Sequence, residues 1–141
     1  MFTRRSVVLA CLAVLVCLLG AAAGAVGTNP ARTTYITVNT PITLPGVGLA
    51  PGTYIFEMAN PGGDPSVVRV LRRDRLLVYY TGYTELIARP EGLRADSPIS
   101  FGEARPGAPL PITAWFPADD PTGRRFIYLK TGGQLIAATA N

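Results

Sequence analysis

The sequence predicts an all-β protein, a single antiparallel β-sandwich or partly closed barrel of about seven to nine strands. Three observations predict this class. No segment beyond residue 26 repeats apolar residues at helical spacing, and short β-rich runs recur about every ten positions. Turn formers separate the runs, with 15 glycines and 13 prolines among 141 residues. That length suits one compact domain.

Residues 1–25 carry the pattern of a bacterial export signal. Arg4 and Arg5 precede an unbroken apolar run over 7–19, and Ala23-Gly24-Ala25 fits a small-x-small cleavage site. We therefore expect a cleaved signal peptide and a mature protein that is periplasmic or extracellular. A short flexible segment is expected to follow at 26–32, and a β-sandwich domain at 33–141.

The predicted leader leaves two alternatives open. Residues 7–26 are uncharged and long enough to cross a bilayer as a permanent anchor. Residues 3–8 partly match a twin-arginine signal, which exports folded proteins.

Composition argues against several classes of function. The formal net charge is +4, and without Arg4 and Arg5 eleven basic residues face nine acidic ones, so there is no basic footprint for nucleic acid. Histidine is absent, and both cysteines, Cys11 and Cys17, lie in the predicted leader. The mature domain then has neither the usual transition-metal ligands nor a thiol nucleophile. We expect no metal, no cofactor and no disulfide.

The first predicted strands, 33–39 and 53–59, alternate strictly, so each presents one face to the core. In the second strand, Ile55 and Glu57 share the opposite face. The stretch 60–65 holds two prolines and two glycines, which predicts a surface loop.

A hairpin is predicted next, because the runs 66–71 and 76–80 flank the polar tetrapeptide 72–75. Gly82 is the predicted site of a bulge before a further strand at 84–88. The remaining strands are expected at 98–101, 112–116, 125–130 and 134–138, with 102–111 as a crossover between strands. The predicted core comprises Ile36, Val38, Tyr54, Phe56, Met58, Val68, Val70, Val78, Phe116, Phe126 and Tyr128.

Three stretches follow one another in a familiar order: Leu-Ala-Pro-Gly-Thr-Tyr-Ile-Phe at 49–56, Ile-Ser-Phe-Gly-Glu-Ala at 99–104, and Ala-Trp-Phe-Pro at 114–117. They resemble a group of small secreted, β-rich bacterial proteins of unknown function, of the type found in acidobacteria. The resemblance covers most of 33–130 and implies export and a β fold. It implies no activity, and the arginines of 72–75 replace that group's more usual Asp-Gly type of turn.

Four arginines of the predicted hairpin are the first candidate ligand-binding residues: Arg69, Arg72, Arg73 and Arg75. Guanidinium groups hold phosphate, sulfate or carboxylated sugars through bidentate hydrogen bonds. The alternative is a solvated turn in which Asp74 neutralises part of the charge.

Four aromatic residues are the second candidates, because exposed rings stack on sugars: Tyr79, Tyr80, Tyr83 and Trp115. The adjacent Tyr79 and Tyr80 must point to opposite sheet faces, so one is expected outward unless both faces are covered. The alternative for all four is packing in the core or at its rim.

Glu103 with Asp119 or Asp120 is a candidate carboxylate pair for glycoside hydrolysis. The competing interpretation is a turn, because the two aspartates precede Pro121-Thr122-Gly123. A calcium site built from the same oxygens is a further alternative, although the alternating pattern of a dedicated calcium loop is absent.

The expected function is therefore a non-catalytic, extracytoplasmic binding or interaction module and not an enzyme. Its expected partner is a glycan, an anionic ligand or another envelope protein, with membrane contact only through an uncleaved leader and no nucleic acid. Two alternatives stay open. One is a structural or assembly subunit of the envelope that pairs chains through edge strands at 33–39 or 134–138. The other is a carboxylate-dependent hydrolase.

Overall fold

The part of the chain that the structure describes forms eleven β-strands. The computed structural model describes residues 31–94, 96–131 and 134–137. The strands in these ranges are β1 (Thr34–Val38), β2 (Ile42–Leu44), β3 (Val47–Leu49), β4 (Gly52–Met58), β5 (Val67–Arg72), β6 (Val78–Ala88), β7 (Ile99–Phe101), β8 (Leu110–Trp115), β9 (Thr122–Phe126), β10 (Tyr128–Thr131) and β11 (Gln134–Ala137). Within the same ranges, no helix has the length and apolar character needed to cross a membrane. The predicted leader lies outside the described residues.

Most of the strands belong to one nine-stranded sheet. Its order is β1-β4-β5-β6-β9-β8-β2-β3, with β7 also paired to β8, while β10 and β11 form a separate two-stranded sheet. The sheet is open, because β1 and β3 stand at its two ends. The all-β, sandwich-like class is confirmed, but the expected wholly antiparallel pairing is wrong. After β1 the chain crosses to the other half of the molecule, and there β2 pairs with β8 in the parallel direction.

β6 joins the two halves of the sheet. Its residues 78–83 pair with β5, and its residues 84–88 pair with β9. The sequence predicts two strands with a bulge at Gly82, whereas β6 is continuous and Gly82 stays in register with Val68. The irregularity lies nearer the hairpin tip, where Val70 pairs with Tyr80 and the next residue of β5 pairs with Val78.

This bulge makes one predicted core position wrong. Because Tyr79 is passed over in the pairing, Val78 faces the same side as Leu71 and the opposite side from Tyr80. Val78 is consequently 47% exposed. Gly82 instead allows Tyr80 to pack closely against the backbone, since a Cβ at residue 82 would overlap the ring of Tyr80.

The core lies between the two halves, where side chains of β1, β4 and β5 meet those of β2, β8 and β9. The buried positions that the sequence predicts correctly are Ile36, Val38, Tyr54, Phe56, Met58, Val68, Val70, Phe116 and Phe126. Tyr128 packs on the core but is only partly buried. The sequence does not predict Ile42, Leu44, Leu49 and Ile112, which are also buried.

Two connections differ from expectation. The sequence does not predict the β2–β3 hairpin, because each strand has three residues and Pro41 and Pro45 flank β2. The loop after β7 leads to its antiparallel neighbour β8, so it is a hairpin loop and not a crossover.

The strand expected at 125–130 is divided at Ile127 into β9 and β10.

Candidate functional site

Glu57 is a buried carboxylate on the outer face of β4, the face turned away from the core. It is 2% exposed. Its Oε1 lies 2.5 Å from Arg69 Nη2, and its Oε2 lies 3.0 Å from Arg75 Nη2. Thr33 Oγ1 also donates to Oε2 at 3.3 Å. Both carboxylate oxygens therefore accept charged donors.

The pKa of Glu57 lies below its ordinary value. Burial on its own raises this pKa, but the hydrogen bonds and charges of Arg69 and Arg75 lower it by more than burial raises it. The same contact raises the pKa of Arg75, chiefly through its hydrogen bond to the carboxylate. Glu57 is therefore ionised at neutral pH.

The β5–β6 hairpin tip curls over this outer face. Arg75 has a φ of 64°, in the left-handed region, and its N–H donates to Arg72 O at 2.9 Å. Its side chain reaches Glu57 on the outer face, the face to which Leu71 and Ile55 also point. Leu71 and Ile55 are also buried, at 4% and 0% exposure, although they face away from the core.

Three of the four candidate arginines are paired with carboxylates. Arg69 and Arg75 share Glu57, and Arg72 Nη2 lies 2.7 Å from Asp74 Oδ2. Among the described residues, no carboxylate lies within ion-pair distance of Arg73. The structure thus brings the four arginines to one hairpin, where an incoming anion would compete with Glu57 for two of them. Their role in anion binding stays a prediction.

The four aromatic candidates lie in different surroundings. Trp115 is fully buried, and Tyr80 is 9% exposed in the core, where burial raises its pKa to about 12. Tyr79 is half-buried and packs edge-on against Tyr54, with ring centroids 5.5 Å apart. Tyr83 is 67% exposed. Of the four, Tyr83 has the ring that is open to a ligand.

The three candidate carboxylates are not brought together. Glu103 lies beyond the Phe101↔Ile112 pair at the start of β8, whereas Asp120 lies beyond the opposite end of that strand. A depression of about 410 Å³ is lined by Asp119 and Asp120 but not by Glu103. In the described ranges, no three acidic, histidine or cysteine side chains are grouped as metal ligands.

Asp120 forms a buried ion pair with Arg124. Arg124 Nη1 lies 2.7 Å from Asp120 Oδ2, and the two side chains are 4% and 11% exposed. Asp120 Oδ1 also accepts the N–H of Thr122, as expected for a turn. Burial raises the pKa of Asp120, but these hydrogen bonds and the charge of Arg124 lower it by more. Arg124 further contacts Met58 Sδ at 3.2 Å and Pro65 O at 3.3 Å. The pair therefore links β9 to β4 and to the loop between β4 and β5.

A cleft of about 480 Å³ lies between β1 and β7. One wall is formed by residues 35–40, and the other by 96–99 with Phe101 and Leu110. In the part of the chain that the structure describes, β1 pairs only with β4 and β7 only with β8. Two strand edges without a further partner therefore line one cleft.

The strand register fixes which backbone groups of β1 point toward this cleft. The N–H of Ala59 donates to Val67 O, so the odd-numbered residues of β4 are hydrogen-bonded to β5 and the even-numbered ones to β1. Residues 34, 36 and 38 of β1 are the partners of those even-numbered residues. The N–H and C=O groups of Tyr35 and Thr37 therefore point away from the sheet.

The same reasoning applies to β7. Phe116 N donates to Pro98 O, and Gly102 N donates to Pro111 O, so residues 98, 100 and 102 face β8. The backbone groups of Ile99 and Phe101 consequently point toward the free edge. Each wall of the cleft thus has two residues whose backbone groups lack a strand partner.

The sequence predicts β1 as an edge strand but identifies neither β7 as the opposite edge nor Glu57 as a buried charge. The run Tyr-Ile-Phe-Glu-Met, with one charge inside an apolar strand, is the signal that points to Glu57. No family model, curated protein or solved structure matches the chain. The resemblance to secreted acidobacterial-type proteins stays a prediction.

Proposed function

We propose that this chain is an exported, non-catalytic interaction module that binds an extended segment of another envelope protein along β1. The observation that carries the proposal is the cleft between two strand edges that have no further partner in the described residues. Export rests on residues 1–25, whose charged start, apolar run and small-residue end are typical of a signal peptide.

An extended polypeptide matches the chemistry of this cleft. It presents N–H and C=O groups at the spacing of a strand, so it can bond to the outward backbone groups of Tyr35 and Thr37. Tyr35 and Phe101 also line the cleft, and their exposed rings offer apolar contacts to side chains of the bound segment.

A glycan or a small anion has less support. Two of the four aromatic candidates are in the core, and three of the four candidate arginines are paired with carboxylates. Hydrolysis by Glu103 with Asp119 or Asp120 requires carboxyl groups about 5–10 Å apart in one cleft, whereas these residues lie beyond opposite ends of β8.

The test is selection of peptides from a phage-displayed library against the wild-type chain, followed by affinity measurement on Thr37→Pro. Proline removes the outward N–H of residue 37 and leaves the β4 side of the strand unchanged. We expect the selected peptides to bind Thr37→Pro at least about tenfold more weakly, through the lost hydrogen bond and the added steric block.

Thr37→Val is the matched control, because it removes the hydroxyl that lies 2.9 Å from Thr53 Oγ1 but keeps the backbone N–H. Its peptide affinity is expected to equal that of wild type. Equal peptide binding by Thr37→Pro and wild type, or a library that yields no binders, would refute the proposal.

The envelope-subunit alternative uses the same edge to pair copies of the chain. Light scattering during size-exclusion chromatography over a wide concentration range separates the two functions. Assemblies that grow with concentration and disappear in Thr37→Pro would favour the subunit, whereas a steady monomer favours binding to a different protein.

A further inference from the structure

The tip of the β5–β6 hairpin and the first residue of β6 expose three consecutive apolar side chains. Leu76 is 82% exposed, Leu77 44% and Val78 47%. Tight turns are normally polar, so an exposed apolar run at a hairpin end is a candidate interaction surface. We call residues 73–77 the hairpin tip.

Hydrogen bonds within the hairpin fix the backbone that carries the two leucines. Asp74 Oδ1 accepts the N–H of Leu76 at 2.9 Å, and Leu77 O accepts the N–H of Arg72 at 2.8 Å. Arg75 fastens the tip to Glu57 on the sheet. The turn that presents the exposed leucines is therefore held in a defined backbone conformation.

The hairpin that carries the exposed leucines has a net positive charge. Arg69, Arg72, Arg73 and Arg75 outnumber the carboxylates of Glu57 and Asp74 by two charges. Arg73 is exposed and, within the described ranges, has no carboxylate at ion-pair distance. Its guanidinium is free to bind an external anion.

We propose that the hairpin tip docks on the surface of an anionic lipid bilayer, with Leu76 and Leu77 entering the interfacial region and Arg73 binding lipid phosphates. Exposed leucines close in sequence to an arginine that is unpaired among the described residues match such a surface, because apolar area and attraction to anionic lipids both contribute to interfacial binding. A soluble anion would engage the arginines and leave the leucines in water.

This docking goes beyond the proposed peptide binding and uses a different surface. The cleft is lined by β1 and β7, whereas the tip joins β5 to β6. It also gives the chain a contact with the membrane that does not require the leader. One molecule is thus able to bind a partner protein and a lipid surface together.

The test is co-sedimentation of the purified full chain with phosphatidylcholine vesicles that contain or lack phosphatidylglycerol. Mass spectrometry of the N-terminus establishes whether the leader is present, and all variants are compared in the same form. We expect binding to the phosphatidylglycerol vesicles that weakens as salt is added.

Two variants separate the apolar contribution to vesicle binding from the electrostatic contribution. Leu76→Ser with Leu77→Ser is expected to lower the partition coefficient at least about tenfold, because the apolar insertion is lost. Arg73→Gln is expected to lower it about fivefold and to reduce its salt dependence, because one cation near the anionic surface is lost.

The matched controls are Leu86→Ser, an exposed leucine at the far end of β6, and Arg105→Gln, an exposed arginine in the β7–β8 loop. Both should bind vesicles as wild type does. A second measurement uses Leu76→Trp: because Trp115 is fully buried, a blue shift of the fluorescence on adding vesicles reports the new indole.

Three results would overturn the proposal. The first is failure of the wild-type chain to bind phosphatidylglycerol vesicles. The second is unchanged vesicle binding by both the double leucine variant and Arg73→Gln, which would show that the leader or another surface is responsible. The third is loss of binding in Arg73→Gln with full binding by the leucine variant, which would indicate a headgroup site without insertion.

Discussion

Glu57 and Glu85 are both paired with arginines, but they differ in how far water reaches them. The side chain of Glu57 is 2% exposed, whereas that of Glu85 is 57% exposed beside Arg125. Removing one member of a buried ion pair leaves the other charge buried and unpaired. In an exposed pair, water solvates the charge that remains. The same substitution should therefore have different effects at the two positions.

We expect Glu57→Gln to lower the free energy of unfolding by about 1–2 kcal/mol at neutral pH, a value that allows for the partial exposure of both arginines. Glu85→Gln should change it by less than about 0.5 kcal/mol. Urea denaturation measures both. Similar losses in the two variants would contradict the special role of the buried carboxylate.

The contribution of Glu57 should also depend on pH. Because its folded-state pKa lies below the ordinary value of 4.5, the stabilisation is present above that value and is lost as the pH falls through the folded-state pKa. The difference between wild type and Glu57→Gln should therefore shrink in acid. A difference that stays constant down to the lowest pH would argue against an ionised Glu57.

Gly82 and Gly48 make a second pair at the scale of single residues. A Cβ at Gly82 would overlap the buried ring of Tyr80, whereas a Cβ at Gly48 would have nothing within 4 Å. We expect Gly82→Ala to lower the free energy of unfolding by about 1–3 kcal/mol through overpacking. Gly48→Ala should be neutral or slightly stabilising. Thermal denaturation distinguishes them, and equal midpoints would show that Tyr80 moves aside freely.

At the scale of elements, β1 and β5 differ in the number of their neighbours. β5 is paired on both sides, whereas β1 pairs, among the described residues, with β4 alone. Backbone amides that point out of a sheet lack the hydrogen bond that protects them from exchange. Protection within β1 should therefore alternate along the strand.

Hydrogen exchange measured by NMR tests this alternation. We expect the amides of Tyr35 and Thr37 to exchange much faster than those of Ile36 and Val38, and the amides of β5 to exchange slowest. Uniform protection along β1 in the monomer would mean that the edge is already covered.

The sequence predicts those elements whose secondary structure is determined by the residue pattern within the element. Strict alternation predicts β1 and β4, and the tetrapeptide at 72–75 predicts the hairpin. The bulge that exposes Val78 has no local signal, because it depends on how β5 and β6 pair. The arginines are visible in the sequence, but their pairing with Glu57 depends on the register of β4 against β5 and on the left-handed turn at Arg75.

At the scale of the whole molecule, Arg124 connects the two halves. It lies on β9, pairs with Asp120, contacts Met58 on β4 and stands 6.0 Å from the ring centroid of Trp115. Such a residue couples the stability of both halves, because its removal loosens contacts on each side.

We expect Asp120→Ala to lower the free energy of unfolding by about 3 kcal/mol, since it leaves Arg124 buried without its partner. Asp96→Ala breaks an exposed pair with Arg94 and should change that free energy by less than about 0.5 kcal/mol. Calorimetry should show one transition at a lower temperature for Asp120→Ala. Two separated transitions would show that the halves unfold independently.

The continuous strand β6 also bears on the order of folding. β4, β5 and β6 follow one another along the chain, whereas the hydrogen bond from Trp115 Nε1 to Thr34 Oγ1 joins residues 81 positions apart. Distant contacts bear a larger loop-closure entropy, so the β4–β5–β6 meander should be structured in the transition state before β8 meets β1. In stopped-flow experiments, Val70→Ala should therefore slow folding, while Trp115→Phe should mainly accelerate unfolding.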